Sequence, residues 1–166
     1  GLSSLINHAD YDMVINALVG FVGLKPTIDA LKRNKIVLLA NKESLVVGGQ
    51  LINSLISSGH GYLFPIDSEH SAIKKCLSVD SNNVKQIILT ASGGPFKNLK
   101  REQLKNVTKE DALNHPTWSM GKKITIDSAT MMNKCFEVIE AHYLFNYPFK
   151  KIGIIIHDQS LCHSLV

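Results

Sequence analysis

The sequence predicts an α/β fold built on largely parallel strands, and three observations carry that reading. Short apolar runs alternate with helical patterns along the 166-residue chain, an order that pairs parallel strands through helical crossovers. The run Lys35-Ile-Val-Leu-Leu-Ala40 is continuously apolar, as in a strand covered on both faces. Each strand-like run hands over to polar residues, and in open parallel sheets functional groups gather at those carboxyl ends.

Taken in order, Asp12 to Ala17 reads as a short buried strand. A helical pattern follows through Leu24, Ile28 and Leu31, with Lys32, Arg33 and Lys35 near its end, where cations suit the helix dipole. After the 35–40 strand, Asn41-Lys-Glu-Ser44 opens a helix that runs to about Ser57, and Gly59 and Gly61 end it. Tyr62–Ile66 is the next strand, placed at an edge or end by Pro65. Asp67-Ser-Glu-His70 starts a helix reaching Val79, Val84–Thr90 is a strand, and Ala91-Ser-Gly-Gly-Pro95 is a turn. Short helices at 101–106 and 109–113 lead to His115-Pro-Thr-Trp118, and a last strand spans Lys151–Ile156.

Composition bounds the function class. Hydrophobic residues make up 45% and charged residues 19%, ordinary for a globular protein with a real core. The net charge is only +4, and no aromatic residues interleave with the basic ones, so no nucleic-acid groove is expected. No apolar run reaches the roughly 18 residues that span a bilayer. Cys76, Cys135 and Cys162 are too scattered for a disulfide framework or a cysteine zinc site. The chain starts and stops abruptly, which suggests a piece of a longer protein.

The chemistry centres on Ile126–Glu137, Ile-Asp-Ser-Ala-Thr-Met-Met-Asn-Lys-Cys-Phe-Glu. Ser128 is the expected N-cap of a helix running to about Phe145. Thr130, Asn133, Lys134, Glu137 and Ala141 then share one face. That face suits a phosphate beside Asn133 and Lys134 with a cation on Glu137, or it is a solvated face with a Lys134–Glu137 pair. Asp67 and Glu69, two residues apart in extended backbone, point the same way. With Glu137 they form an all-oxygen set suited to Mg²⁺ or Mn²⁺, or they merely cap a helix. His70 lacks zinc spacing and stands outside the set. Ser92-Gly-Gly-Pro95 is either a backbone phosphate cradle or a plain turn.

Five segments carry a resemblance: Leu-Ala-Asn-Lys-Glu-Ser-Leu-Val (39–46), Pro-Ile-Asp-Ser-Glu-His (65–70), Thr-Ala-Ser-Gly-Gly-Pro-Phe (90–96), His-Pro-Thr-Trp-Ser-Met-Gly (115–121) and Asp-Ser-Ala-Thr-Met-Met-Asn-Lys (127–134). In this order they resemble the 1-deoxy-D-xylulose 5-phosphate reductoisomerases, NADPH-dependent enzymes of non-mevalonate isoprenoid synthesis. The resemblance implies the end of a Rossmann-like parallel-sheet domain (1–66) followed by a truncated α/β catalytic domain (67–166). It implies NADPH with Mg²⁺ or Mn²⁺ as cofactors, a sugar-phosphate substrate and a homodimer. Asp67, Glu69 and Glu137 would hold the cation; Ser92, Ser128, Asn133 and Lys134 the phosphate. Lys42 and Ser68 would face the reacting end, His115 and His157 line the site, and Trp118 and Met120 form a flap. Lys42, His115 and the three carboxylates would make up the catalytic set, and Asn41, Lys42 and Glu43 would touch the cofactor. Ala91 and Cys135 stand where the family commonly has Gly, and the amino-terminal glycine fingerprint and carboxyl-terminal helical domain are missing, so these residues alone are expected to be inactive. Lysine outnumbers arginine sixteen to two, which points to a plastid-bearing parasite, with a cytoplasmic enzyme otherwise. The residues by themselves also allow a metal-dependent sugar-phosphate aldolase or isomerase without redox chemistry, or a non-catalytic phosphate-binding module.

Overall fold

The computed structural model describes residues 1–79 and 83–166. An opening helix, α1 (Leu2–His8), leads to three parallel strands, β1 (Met13–Asn16), β2 (Ile36–Leu39) and β3 (Tyr62–Pro65), in that spatial order. Between them run the crossovers α2 (Leu24–Lys32) and α3 (Lys42–Ser57). Asn41 caps α3 by accepting the Ser44 N–H at 3.0 Å, as its place before the helical run requires. The chain then forms α4 (Ser68–Val79), β4 (Ile87–Ala91), α5 (Lys109–Leu113), α6 (Lys122–Ala129), α7 (Met132–Phe145), β5 (Ile152–Ile156) and β6 (Ser164–Leu165). In this second sheet β4 is central, parallel to β5 and antiparallel to β6. The architecture is α/β.

Two apolar cores hold the sheets. Leu31, Val37, Leu39, Leu45 and Ile52 form one, and Ile73, Ile87, Leu89, Ala141 and Ile152 the other. The two halves meet where α3 crosses α7. Gly49 makes that approach possible, since a Cβ there would lie 2.3 Å from the Tyr143 ring; the adjacent Gly48 serves the packing of α3 on α2, where a Cβ would lie 2.4 Å from Leu24. Asn53 seals the contact by donating to the Tyr143 carbonyl at 3.0 Å. This crossing sets the start of α3, with Lys42, against the face of α7 that carries Asn133 and Glu137.

Several expectations need correction. Strand β1 is not buried: Met13 is 53% and Ile15 64% exposed, because it is an edge strand in the described sheet. Residues 122–129 are helical, so Ser128 is not an N-cap but sits in the last turn of α6 and donates to the Ile124 carbonyl at 2.7 Å. The break falls at Met131, whose φ of 61° lies in the left-handed region that disfavours side chains. Thr130 therefore leaves the shared face of α7, while Asn133, Lys134, Glu137 and Ala141 keep it. Glu69 belongs to the first turn of α4, so it approaches Asp67 through helix geometry and not through an extended pleat.

Candidate active site

The carboxyl ends of β3 and β4, the start of α3, the end of α6 and the inner face of α7 enclose a cavity of about 300 Å³. Its walls include Lys42, Asp67, Ser68, Glu69, Ser92, His115, Trp118, Met120, Ser128, Asn133 and Glu137. Segments far apart in sequence thus converge at one place. Gly94 makes the convergence possible on one side: its φ is +69°, and a Cβ there would lie 2.4 Å from the Ser128 carbonyl oxygen. Only glycine lets the turn after β4 close against the end of α6.

Carboxylate oxygens of Asp67, Glu69 and Glu137 lie within 4.8 Å of one another. Two ammonium groups thread this cluster. Lys42 Nζ stands 2.9 Å from Asp67 and 3.0 Å from Glu137, and donates to Asn133 Oδ1 at 3.0 Å. Lys134 Nζ bridges Glu69 at 2.8 Å and Glu137 at 2.5 Å. Asn133 Nδ2 donates to Glu137 Oε1 at 2.7 Å, and Ser68 Oγ to Glu69 Oε2 at 2.7 Å. Burial works to raise the Asp67 pKa, but the bond from His70 and the Lys42 charge outweigh it and hold this carboxyl well below its usual range. Lys42 is pushed the other way: burial would lower it, yet Glu137 and Asp67 raise it. Three hard oxygen donors whose carboxylates converge within 4.8 Å fit a Mg²⁺- or Mn²⁺-type cation.

His115 joins the phosphate-side turn to the loop beyond it. Its Nδ1 accepts the backbone N–H groups of Thr117 at 3.1 Å and Trp118 at 3.0 Å, and its Nε2 lies 3.1 Å from Ser92 Oγ. Two donors on Nδ1 place the ring proton on Nε2. Desolvation, then the charge of Lys97, lowers the His115 pKa and so favours this neutral form. The exposed Trp118 ring and Met120 stand on the same loop over the cavity.

A second cavity, also about 300 Å³, runs along Ala17–Val19, Ala40, Glu43, Gly121–Lys123 and Asp127. It lies beyond the carboxyl ends of β1 and β2, where parallel sheets take dinucleotides. Lys42, Ile124 and Asn133 line both cavities. Asn41, expected at the cofactor, is instead buried, with its amide donating to the carbonyls of Leu18 (2.7 Å) and Gly20 (2.9 Å) and to Glu43 (3.0 Å). It shapes the loop after β1 and has no side-chain donor to spare.

Two other residues differ from expectation. Lys134 lies within the carboxylate cluster and is not among the residues lining the main cavity. His157 turns away from it, accepting the Leu161 N–H at 3.0 Å, while His163 lines the cavity instead. The cause is β6, too short to see in the sequence. It pairs with β4, and Thr90 Oγ1 donates to the Cys162 carbonyl at 2.7 Å and the His163 carbonyl at 2.9 Å.

Sequence reasoning also set His70 aside and overlooked Glu140. Both are fully buried. His70 Nε2 lies 2.9 Å from the Glu137 carbonyl, and its Nδ1 lies 3.3 Å from Glu140 and 3.6 Å from Asp67. Burial works to lower the His70 pKa, but the charges of Glu140 and Asp67 win and raise it to about 9. Burial raises that of Glu140. Both groups therefore keep protons in the folded state that the unfolded chain releases at lower pH, so stability is held below the unfolded pKa values and lost as pH rises through about 9. The metal-free protein is expected to melt at a lower temperature at pH 9 than at pH 6, with His70→Gln flattening the slope. A wild-type melting profile that is level across this range would show the pair to be mis-assigned.

Comparison with known proteins gives a consistent answer. The family described as 1-deoxy-D-xylulose 5-phosphate reductoisomerase C-terminal domain matches residues 63–145, and 1-deoxy-D-xylulose 5-phosphate reductoisomerase matches residues 1–49. A protein of that name from Clostridium kluyveri is 53% identical over 100% of this chain, and one from Chlorobium chlorochromatii is 57% identical over 93%. The chain spans 43% and 41% of their lengths. A crystal structure of DOX-P reductoisomerase in complex with NADPH, fosmidomycin and magnesium superposes with a TM-score of 0.90 at 43% identity, covering 98% of this chain and 43% of that one. The enzyme from Zymomonas mobilis in complex with NADPH gives 0.87 at 43% identity, covering 98% and 42%. The Clostridium, Chlorobium and Zymomonas relatives are bacterial, so they lend the plastid expectation no support. With these matches, the chain belongs to the 1-deoxy-D-xylulose 5-phosphate reductoisomerase family.

Proposed function

We propose that the full-length protein carrying this chain converts 1-deoxy-D-xylulose 5-phosphate to 2-C-methyl-D-erythritol 4-phosphate, using NADPH and Mg²⁺ or Mn²⁺. The observation that carries this reading is the shared wall. A cavity holding three converging carboxylates meets a second, dinucleotide-side cavity at Lys42, Ile124 and Asn133. An aldolase or a simple phosphate-binding module has no use for that second cavity.

In this reading Asp67, Glu69 and Glu137 hold the cation, which supplies Lewis-acid polarisation of the substrate's oxygens when bound. NADPH supplies the hydride, with Glu43 and Lys42 at its cavity. The side chains of Ser92, Ser128 and Asn133 receive the phosphate, a grip remote from the reacting carbons that orients them. Lys134 contributes positive charge behind that grip through Glu69 and Glu137. His115 presents its Nε2–H towards Ser92 and the cavity, while Trp118 and Met120 cover the mouth and exclude water. Residues 1–66 act as the end of the cofactor domain and 67–166 as the catalytic part. A homodimer is the proposed assembly.

The test is NADPH oxidation by the full-length protein. Turnover is expected only when the sugar phosphate and a divalent cation are both present, and chelation should abolish it. Conversion of the sugar phosphate without NADPH consumption would replace this reading with the non-redox one.

A further inference from the structure

We infer that Glu140 is a positioning residue that acts through the imidazole of His70 to fix the carboxylate of Asp67 for cation binding. The inference rests on the metal reading above and goes beyond it, because neither Glu140 nor His70 lines the cavity.

Four contacts confine the His70 ring. Nε2 faces the Glu137 main-chain carbonyl at 2.9 Å, Nδ1 faces Glu140 at 3.3 Å and Asp67 at 3.6 Å, and the ring stacks on Phe145 with centroids 6.3 Å apart. Facing a carbonyl on one side and two carboxylates on the other, both ring nitrogens carry a proton. The ring therefore touches the metal cluster twice, at the Asp67 side chain and at the backbone of Glu137. Glu140 stands three residues after Glu137 on α7, on the same inner face.

The Glu140 carboxylate has no evident purpose of its own. It is fully buried, and neither of its oxygens has a hydrogen-bond partner. A buried carboxyl group without hydrogen-bond partners usually costs stability where an apolar side chain would not. Its nearest charged neighbour is the His70 ring, and that ring reaches Asp67. Groups that support a metal ligand from behind set its orientation, and losing one typically weakens metal binding about 10–100-fold. Asp67, His70 and Glu140 also lie close enough together to ligate a cation of their own. The proton on His70 Nδ1, facing both carboxyl groups, takes the place that such a cation would occupy.

Charge separates positioning from a mere field effect. His70→Gln removes a positive charge beside Asp67, so a pure field effect would tighten Mn²⁺ binding in that variant. Positioning predicts that His70→Gln and Glu140→Gln both weaken it. In the full-length protein, free Mn²⁺ is titrated by electron paramagnetic resonance without substrate or NADPH, beside thermal melts. Both variants are expected to lose about tenfold or more in Mn²⁺ affinity. The double variant should be no worse than either single, since they share one path. His70→Asn, which keeps a nitrogen near the Nδ1 position, should recover part of the loss.

Unchanged or tighter Mn²⁺ binding in His70→Gln overturns the inference, as does a fall in melting temperature alone. A stoichiometry of two Mn²⁺, one lost in Glu140→Gln, also overturns it, because the trio would then be a ligand set. Asp67→Asn is the control. If it too binds Mn²⁺ normally, the metal reading falls along with this one; if only Asp67→Asn loses the ion, the inference falls alone.

Discussion

Replacing Glu137 with glutamine in the full-length protein is expected to remove metal-dependent turnover, by at least about a hundredfold, while the fold survives. The carboxylate is 1% exposed and contacts Lys42, Lys134 and Asn133 at once. Three carboxylates against two ammonium groups leave the cluster with one negative charge in excess. The amide cancels that excess and removes a hard oxygen anion from the set. A bound cation typically contributes several kcal/mol of transition-state stabilisation, and each 1.36 kcal/mol is about a factor of ten in rate. Circular dichroism should show an intact fold and a Mn²⁺ titration a lost site. Normal metal dependence in this variant would take Glu137 out of the triad.

The sequence made the strands and crossovers legible because their signals are local. The strand at 36–39 and the Asn41 cap each follow from neighbouring residues, although β2 is not covered on both faces as its apolar run suggested: Val37 and Leu39 are buried, Ile36 is exposed and Leu38 half-buried. The α6–α7 break was not legible, since no glycine or proline marks it; Met131 adopts φ 61° because two helices pack where one was expected. The carboxylates of Asp67, Glu69 and Glu137 were recognised as a set, although the extended geometry invoked for Asp67 and Glu69 was wrong. Glu140 and His70 escaped notice because their partnership joins α4 to α7 across seventy residues of chain. His163 was hidden behind a two-residue strand, so His157, the more prominent histidine after β5, was expected in its place.

The last expected result concerns Lys42. Its ammonium lies 2.9 Å from Asp67 and 3.0 Å from Glu137, and its side chain is 9% exposed. Lys42→Met keeps much of the volume and removes the charge. Breaking a buried ion pair by deleting one partner costs about 3–5 kcal/mol, because the remaining charge loses its compensation. Here two carboxylates lose it, Glu137 keeping Lys134 and Asp67 keeping only the more distant His70 ring. The metal-free variant should therefore unfold at a clearly lower temperature than the wild type. The same change makes the cluster more negative, so Mn²⁺ should bind more tightly and should stabilise the variant more than it stabilises the wild type, since a ligand stabilises in proportion to its affinity for the folded state. Turnover should still fall, because Lys42 lines both cavities and the cation cannot take its place at the wall they share. Stability, metal affinity and rate are thus expected to move separately. A variant as stable as the wild type, with unchanged Mn²⁺ affinity, would show that the ammonium sits in solvent and does not hold the carboxylates together.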